Sequence, residues 1–189
     1  MTQLVHLRSA RCDTHSVSKD PWHGFRSRQP LEADHVRILA AAETWWGAVG
    51  GATGAQQRSA LLPRLFVQHF ADTSLVLEDV DGDLAGFLLG FLSQSQPTVA
   101  YIHFVGVAPA LRRSGAATAL YQWFFDQARS RGAIEVRCIT SPGNSESIAF
   151  HIGIGFAIIS GRGLDDGVSV HRDYDGPGLD RVVFTRSLN

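Results

Sequence analysis

Residues 105–117 run Val105-Gly106-Val107-Ala108-Pro109-Ala110-Leu111-Arg112-Arg113-Ser114-Gly115-Ala116-Ala117. Just upstream, Tyr101-Ile102-His103-Phe104-Val105 is rich in aromatic and β-branched residues, the composition of a strand. Pro109 ends that strand because it has no N–H to give to a ladder. From Ala116 to Arg131 the apolar residues follow a helical period, with Ala117, Leu120, Phe124 and Ala128 on one face and Trp123 beside it. The segment is therefore strand, short loop, helix, with Gly115 at the helix entrance. The first amides of a helix have no internal acceptor and sit at the positive end of its dipole. Small residues at Ser114, Gly115, Ala116 and Ala117 leave those amides open to a large anion. Arg112 and Arg113 add positive charge beside them. The arrangement reads as a phosphate cradle; the bland alternative is an ordinary helix start with solvated arginines.

The chain has 189 residues, the length of one domain, and its 44% hydrophobic content is enough for a sizeable core. The net charge is -1, so no global basic field points to nucleic acid and any anion site is local. The longest apolar run, Leu84 to Leu92, is far short of the span of about 20 residues that a membrane helix needs. The N-terminus carries no apolar signal core. The two cysteines, Cys12 and Cys138, have no Cys-x-x-Cys spacing, and Cys138 sits in an apolar strand where burial is expected. These features imply a cytoplasmic, reducing location with neither a metal nor a disulfide framework.

Residues 1–22 are assigned to an N-terminal extension and 23–189 to the domain. Met1 to Gln29 is polar and aperiodic, either a flexible extension or a specific arm, with a short strand expected near His23 to Ser27. Leu31 to Trp46 reads as a helix, with Glu32 and Asp34 acidic near its start. Gly47 to Gly54 is a glycine-rich loop. Gln56 to Phe70 reads as a second helix kinked at Pro63. A strand is expected over Ser74 to Val80, a turn at Asp81-Gly82-Asp83, and a central strand over Leu84 to Ser93 in which Gly86 and Gly90 allow close packing or a bulge. After the helix that Gly132 terminates come a strand over Ile134 to Thr140 and a short helix over Asn144 to Ile152. A strand over Phe156 to Ser160, a long loop from Gly161 to Leu179 and a last strand over Arg181 to Ser187 complete the chain. This order suits one mixed sheet with helices on both faces.

The register of Val107, Pro109, Arg112, Gly115 and Ala117 resembles the coenzyme A-binding motif of the GCN5-related N-acetyltransferase (GNAT) superfamily. There a strand ends in Val-x-Pro-x-x and continues Arg/Gln-x-x-Gly-x-Gly/Ala. A second segment, Asn144-Ser145-Glu146-Ser147-Ile148-Ala149-Phe150-His151-Ile152-Gly153-Ile154-Gly155-Phe156, resembles the superfamily's Asn-x-x-Ala/Ser, a Tyr or His two turns on, then Gly-Phe. The resemblance covers Thr73 to Ser160 well. It implies an α/β, GNAT-like mixed central β-sheet flanked by helices on both faces, in a single domain. It further implies that the amides of Arg113, Ser114, Gly115, Ala116 and Ala117 hold the pyrophosphate of acetyl-CoA, with Arg112 and Arg113 adding charge. Superfamily members usually carry glycine where Arg113 stands. Gly106 marks an expected bulge where the fourth strand splays from the fifth. By position, Val107 pairs with pantetheine, and the Val105 amide donates to the thioester carbonyl and to the oxyanion that follows. Losing one such donor costs about 2.7–4 kcal/mol. Asn144 and Ser147 contact the pantetheine arm, and Asn144 also suits a helix cap.

For chemistry, the resemblance places His103 where the superfamily carries its base. Strand alternation puts Tyr101, His103 and Val105 on one face, and imidazole can take a proton from an ammonium near neutral pH. The competing reading is a structural histidine. His151 stands where many members have a tyrosine that protonates the departing thiolate; a packing histidine is the equal alternative. Gly47 to Gly54 either shapes an acceptor pocket or connects helices. His171, Asp173, Tyr174 and Asp175 form either one wall of that pocket or a solvated turn. Trp45 and Trp46, expected to be exposed, line a pocket or a dimer interface. The implied function is acetyl transfer from acetyl-CoA to a primary amine, on a small molecule or a protein N-terminus, by a homodimer. The rivals are a non-catalytic acyl-CoA-binding module and an enzyme for longer acyl groups.

Overall fold

The computed structural model describes Trp22, residues 24–46, Ala60 and residues 62–189. Cys12 and the Gly47 to Gly54 loop lie outside the described residues. The sheet holds β1 (Arg26–Arg28), β2 (Leu75–Glu78), β3 (Leu84–Leu92), β4 (Val99–Val107), β5 (Glu135–Thr140), β9 (Val182–Ser187) and β6 (Ala157–Ile158), in that spatial order. Only β4 and β5 run parallel; the other neighbours are antiparallel. The helices are α1 (Asp34–Trp46), α2 (Leu65–His69), α3 (Ala116–Ser130) and α4 (Ser145–Gly153).

The two sheet faces bury two cores. On one face Leu120, Tyr121, Phe124, Phe125 and Ala128 of α3 and Ile148 of α4 pack on Leu75, Leu77, Leu88, Ala100, Ile102 and Val136. On the other, Ile38 of α1 and Val67 of α2 pack on Val76, Phe87 and Leu89, with Trp45, Trp46, Phe66 and Phe104 half-buried beside them. Trp45 and Trp46 are thus part of a core, not the exposed pair expected. Cys138 is buried, as its apolar strand implies. Trp22 is also buried in the first core, so the packed part of the chain includes it.

Several boundaries moved for identifiable reasons. The first strand forms at Arg26–Arg28, not His23 to Ser27, because Arg28 is drawn to acids on α1 and β2. Pro63 precedes α2 rather than kinking it: the Pro63 carbonyl accepts from the Phe66 amide, and the helix begins at Leu65. The loop expected over Gly161 to Leu179 contains a hairpin, β7 (Gly163–Asp165) with β8 (Val168–Val170). Its turn residues Asp166 and Gly167 both have positive φ, 45° and 79°, as a tight hairpin needs. At the end of α3, Gly132 takes φ 88°, its amide bonds the Arg129 carbonyl and the Ala133 amide bonds that of Ala128, closing the helix. Among the described residues, no helix is long and apolar enough to cross a membrane.

Candidate active site

β4 and β5 pair only at Val99–Tyr101 with Glu135–Arg137. Beyond Tyr101 the two strands part, while β4 stays paired with β3 up to Val107. The Ala108 amide donates to the Ala85 carbonyl at 2.9 Å, on the β3 side. Successive strand residues point their backbone groups to opposite sides. The N–H and C=O groups of Val105 and Val107 therefore face the gap. The superfamily-like splay is present, with an open strand edge along it.

The bulge is not at Gly106. Phe104 pairs with Leu89 and Ile102 with Gly90, so His103 is the extra residue. Gly106 is required for another reason: a Cβ there would lie 2.6 Å from the Phe87 ring and 2.8 Å from the Trp46 ring. The bulge also overturns the shared face of Tyr101, His103 and Val105. His103 stacks on Phe66 at 3.9 Å and 10°, on the α1–α2 side, whereas Val105 and Val107 pack against the α3 side. Tyr101 lies with His103, stacked on Phe91 at 5.4 Å.

At the end of β4, Pro109–Leu111 form a single 3-10 turn, and Arg113 and Gly115 take φ 63° and 90°. Arg113 thus holds a left-handed conformation, which explains the glycine usual at that place and costs a non-glycine residue about 1–2 kcal/mol. Ser114 and Ala116 amides bond the Leu111 carbonyl and the Ser114 hydroxyl, both at 3.4 Å. Among the described residues, no acceptor takes the amides of Arg113, Gly115 and Ala117. Nothing lies within 4 Å of where a Gly115 Cβ would sit. The Arg112 side chain turns elsewhere, its Nη2 donating to the Trp45 carbonyl at 2.9 Å.

Because β4 and β5 are parallel, the helices that follow them, α3 and α4, both start at the same end of the gap. Asn144 caps α4: its side chain accepts from the Ser147 amide at 3.2 Å. Asn144 is exposed and Ser147 half-buried. His151 points into the core and is 5% exposed. Its Nδ1 donates to the Ser147 carbonyl at 2.7 Å, its Nε2 meets the Tyr121 hydroxyl at 2.8 Å, and its ring stacks on Phe184 at 4.7 Å. Burial lowers its pKa, opposed by the Ser147 bond, and burial lifts the Tyr121 hydroxyl well above the usual phenol range. Of the two readings of His151, this geometry favours the packing one. Tyr121 is the partner that sequence reasoning missed; its place on the buried face of α3 is the only signal for it.

The 171–181 segment is tied to itself. Asp173 accepts the Gly178 amide at 2.6 Å, Asp175 pairs with Arg181 at 2.6 Å, and Asp180 pairs with Arg172. Burial raises the Tyr101 hydroxyl pKa, and Tyr174 and Asp175 are near enough to push it further. The aspartates of the segment are thus already engaged within it. Among the described residues, no group of three or more His, Cys, Asp or Glu is placed to hold a metal.

Comparison with known proteins bears on the family and the fold. The chain is 35% identical over 85 residues to an L-2,4-diaminobutyric acid acetyltransferase from Nocardia farcinica, a match covering 45% of this chain and 44% of that one. The chain thus spans less than half the length of that relative. The fold is similar to that of a crystal structure of Ard1 from Thermoplasma volcanium, with a TM-score of 0.64, 20% identity, and 87% of this chain and 97% of that one covered. It is also similar to diaminobutyrate acetyltransferase from Paenibacillus lautus in complex with L-2,4-diaminobutyric acid and coenzyme A, with a TM-score of 0.62, 22% identity, and 86% and 94% covered. The family model described as "Acetyltransferase (GNAT) family" matches residues 32–156, which hold α1, β4, the cradle and α4. The chain belongs to the GNAT family of acetyltransferases.

Proposed function

We propose that the protein is an acetyl-CoA-dependent N-acetyltransferase acting on a primary amine in a ternary complex. The observation that carries this is the gap between β4 and β5, into which the backbone groups of Val105 and Val107 point. The surrounding residues fit acetyl-CoA. The unengaged amides of Arg113, Gly115 and Ala117 suit its pyrophosphate, and the open edge of β4 suits the amide-bearing pantetheine arm as an added strand. Asn144 and Ser147 stand at the same end of the gap. When bound, acetyl-CoA supplies an activated acetyl thioester.

Around it the chain's own groups divide the work. The Val105 N–H, held in a paired strand, is preorganised to donate to the carbonyl oxygen as charge builds there. His103 takes the proton that an incoming ammonium must lose; its ring is fixed against Phe66. Holding amine and thioester together supplies much of the remaining rate. His151, with both ring nitrogens engaged, is assigned to holding α4 against α3.

The test is free-thiol release from acetyl-CoA with a panel of primary amines headed by L-2,4-diaminobutyrate, the compound in the relatives' names. Release that depends on one amine class supports the reading and names the acceptor. Saturable acetyl-CoA binding without release from any amine would replace it with a binding module.

A further inference from the structure

The last carbonyls of a helix lack internal partners and sit at the negative end of its dipole. The last turn of α1, ending in Trp45-Trp46, carries no basic residue of its own. The cation arrives from the cradle loop, as Arg112 Nη2 donates to the Trp45 carbonyl at 2.9 Å across 67 residues of sequence. The two tryptophans are in turn locked to the sheet. Trp45 stacks on Phe87 at 5.9 Å and 16°, and Trp46 lies 5.8 Å from Phe104 and over the bare Cα of Gly106. The end of α1 therefore touches β4 between Val105 and Val107, on the face that carries His103.

We propose that Arg112 is a positioning residue: it couples the cradle to the C-terminus of α1 and is not a ligand of the pyrophosphate. The inference rests on the acetyl-CoA reading above. An anion held by the Arg113 to Ala117 amides fixes the loop, the loop fixes Arg112, and Arg112 fixes the end of α1 beside His103. Occupancy of the cradle thereby orders the side on which the amine must approach.

What Arg112 needs for this task is a hydrogen-bond donor, whereas a phosphate ligand needs the charge, so Arg112→Gln separates the two roles. Deuterium exchange at residues 40–46 and the acetyl-CoA Kd by calorimetry are measured for wild type, Arg112→Ala and Arg112→Gln. Both variants are first checked for a thermal midpoint unchanged from wild type. The expected result is that acetyl-CoA slows exchange at residues 40–46 by about tenfold in wild type and Arg112→Gln but not in Arg112→Ala, the loss of one hydrogen bond. The Kd stays within about twofold throughout, since no phosphate contact is lost. A Kd raised about tenfold or more in both variants would assign Arg112 to the phosphates and overturn the proposal. So would a wild type that binds acetyl-CoA without any slowing at residues 40–46. A wild type that does not bind acetyl-CoA at all would instead defeat the acetyltransferase reading.

Discussion

Both ring nitrogens of His151 are engaged inside the fold, by the Ser147 carbonyl and the Tyr121 hydroxyl, while the His103 ring lies half-buried against Phe66 at the bulge of β4. The two histidines are therefore expected to fail differently. His151→Ala leaves a buried hydroxyl without a partner and a cavity beside Phe184, and should lower unfolding stability by about 3 kcal/mol. His103→Ala should lower kcat by about 100-fold or more, with the acetyl-CoA Kd unaltered. Denaturant unfolding and steady-state kinetics on both variants check this. A His151→Ala enzyme that is fully stable but as slow as His103→Ala would restore the acid role to His151. In the sequence each histidine has a structural reading beside its chemical one, with position leaning His103 towards function and leaving His151 balanced. Position marked both, but the deciding contacts come from α2 and α3, which no local pattern connects to β4 or α4.

The β4 element was legible as a strand with a special glycine, followed by a short loop and a helix that Gly115 opens. The reason for the glycine was not legible. Bulges depend on the partner strand's register, and that register shifts at Leu89/Gly90, opposite His103. Gly106 answers to the Phe87 and Trp46 rings, which lie on other elements. Gly106→Ala should thus cost about 1–3 kcal/mol by overpacking and displace the end of α1, seen as a lower denaturant midpoint and altered tryptophan emission. An unchanged midpoint and emission would mean that Trp46 does not rest on this glycine. Gly90 was expected to allow close packing or a bulge; the Phe124 ring lies 2.4 Å from where its Cβ would be, and the β3–β4 register shifts between Leu89 and Gly90. The β7–β8 hairpin was missed because its strands are three residues each, although Asp165-Asp166-Gly167 between apolar residues carries the turn signal.

Across the whole molecule, one ionic cluster clamps the α1 side of the sheet to its edge. Arg28 bonds Asp34 in a bidentate pair at 2.6 and 2.9 Å and Glu78 at 2.6 and 3.1 Å; Arg37 bonds the same two acids at 2.8 Å each. The Arg28 and Arg37 hydrogen bonds hold the Glu78 pKa down to about 2, against a burial effect that would raise it. Burial alone would raise Asp34, but the bonds from Arg28, the Leu31 amide and Arg37 keep it below the usual carboxylate range. Four residues scattered from position 28 to 78 gave no sign of this in the sequence. A carboxyl depressed on folding adds stability above its unfolded pKa of about 4.5 and loses it as the pH falls towards about 2. Glu78 thus adds stability at neutral pH that is lost across that window. The thermal midpoint should therefore drop steeply between about pH 5 and pH 2, and Glu78→Gln should lower it at pH 7 while flattening that fall. An equally steep fall in Glu78→Gln would place the acid sensitivity elsewhere.

The open edge of β4 is where acetyl-CoA is proposed to lie, and an NMR titration of the isotope-labelled protein with acetyl-CoA tests that edge. We expect the largest amide shifts at Val105 and Val107, together with Arg113, Gly115 and Ala117, each saturating at the same ligand concentration. Shifts gathered instead around the cleft lined by Gly24, Phe25, Arg26, Glu78 and Gly82, with Val105 and Val107 unmoved, would contradict it.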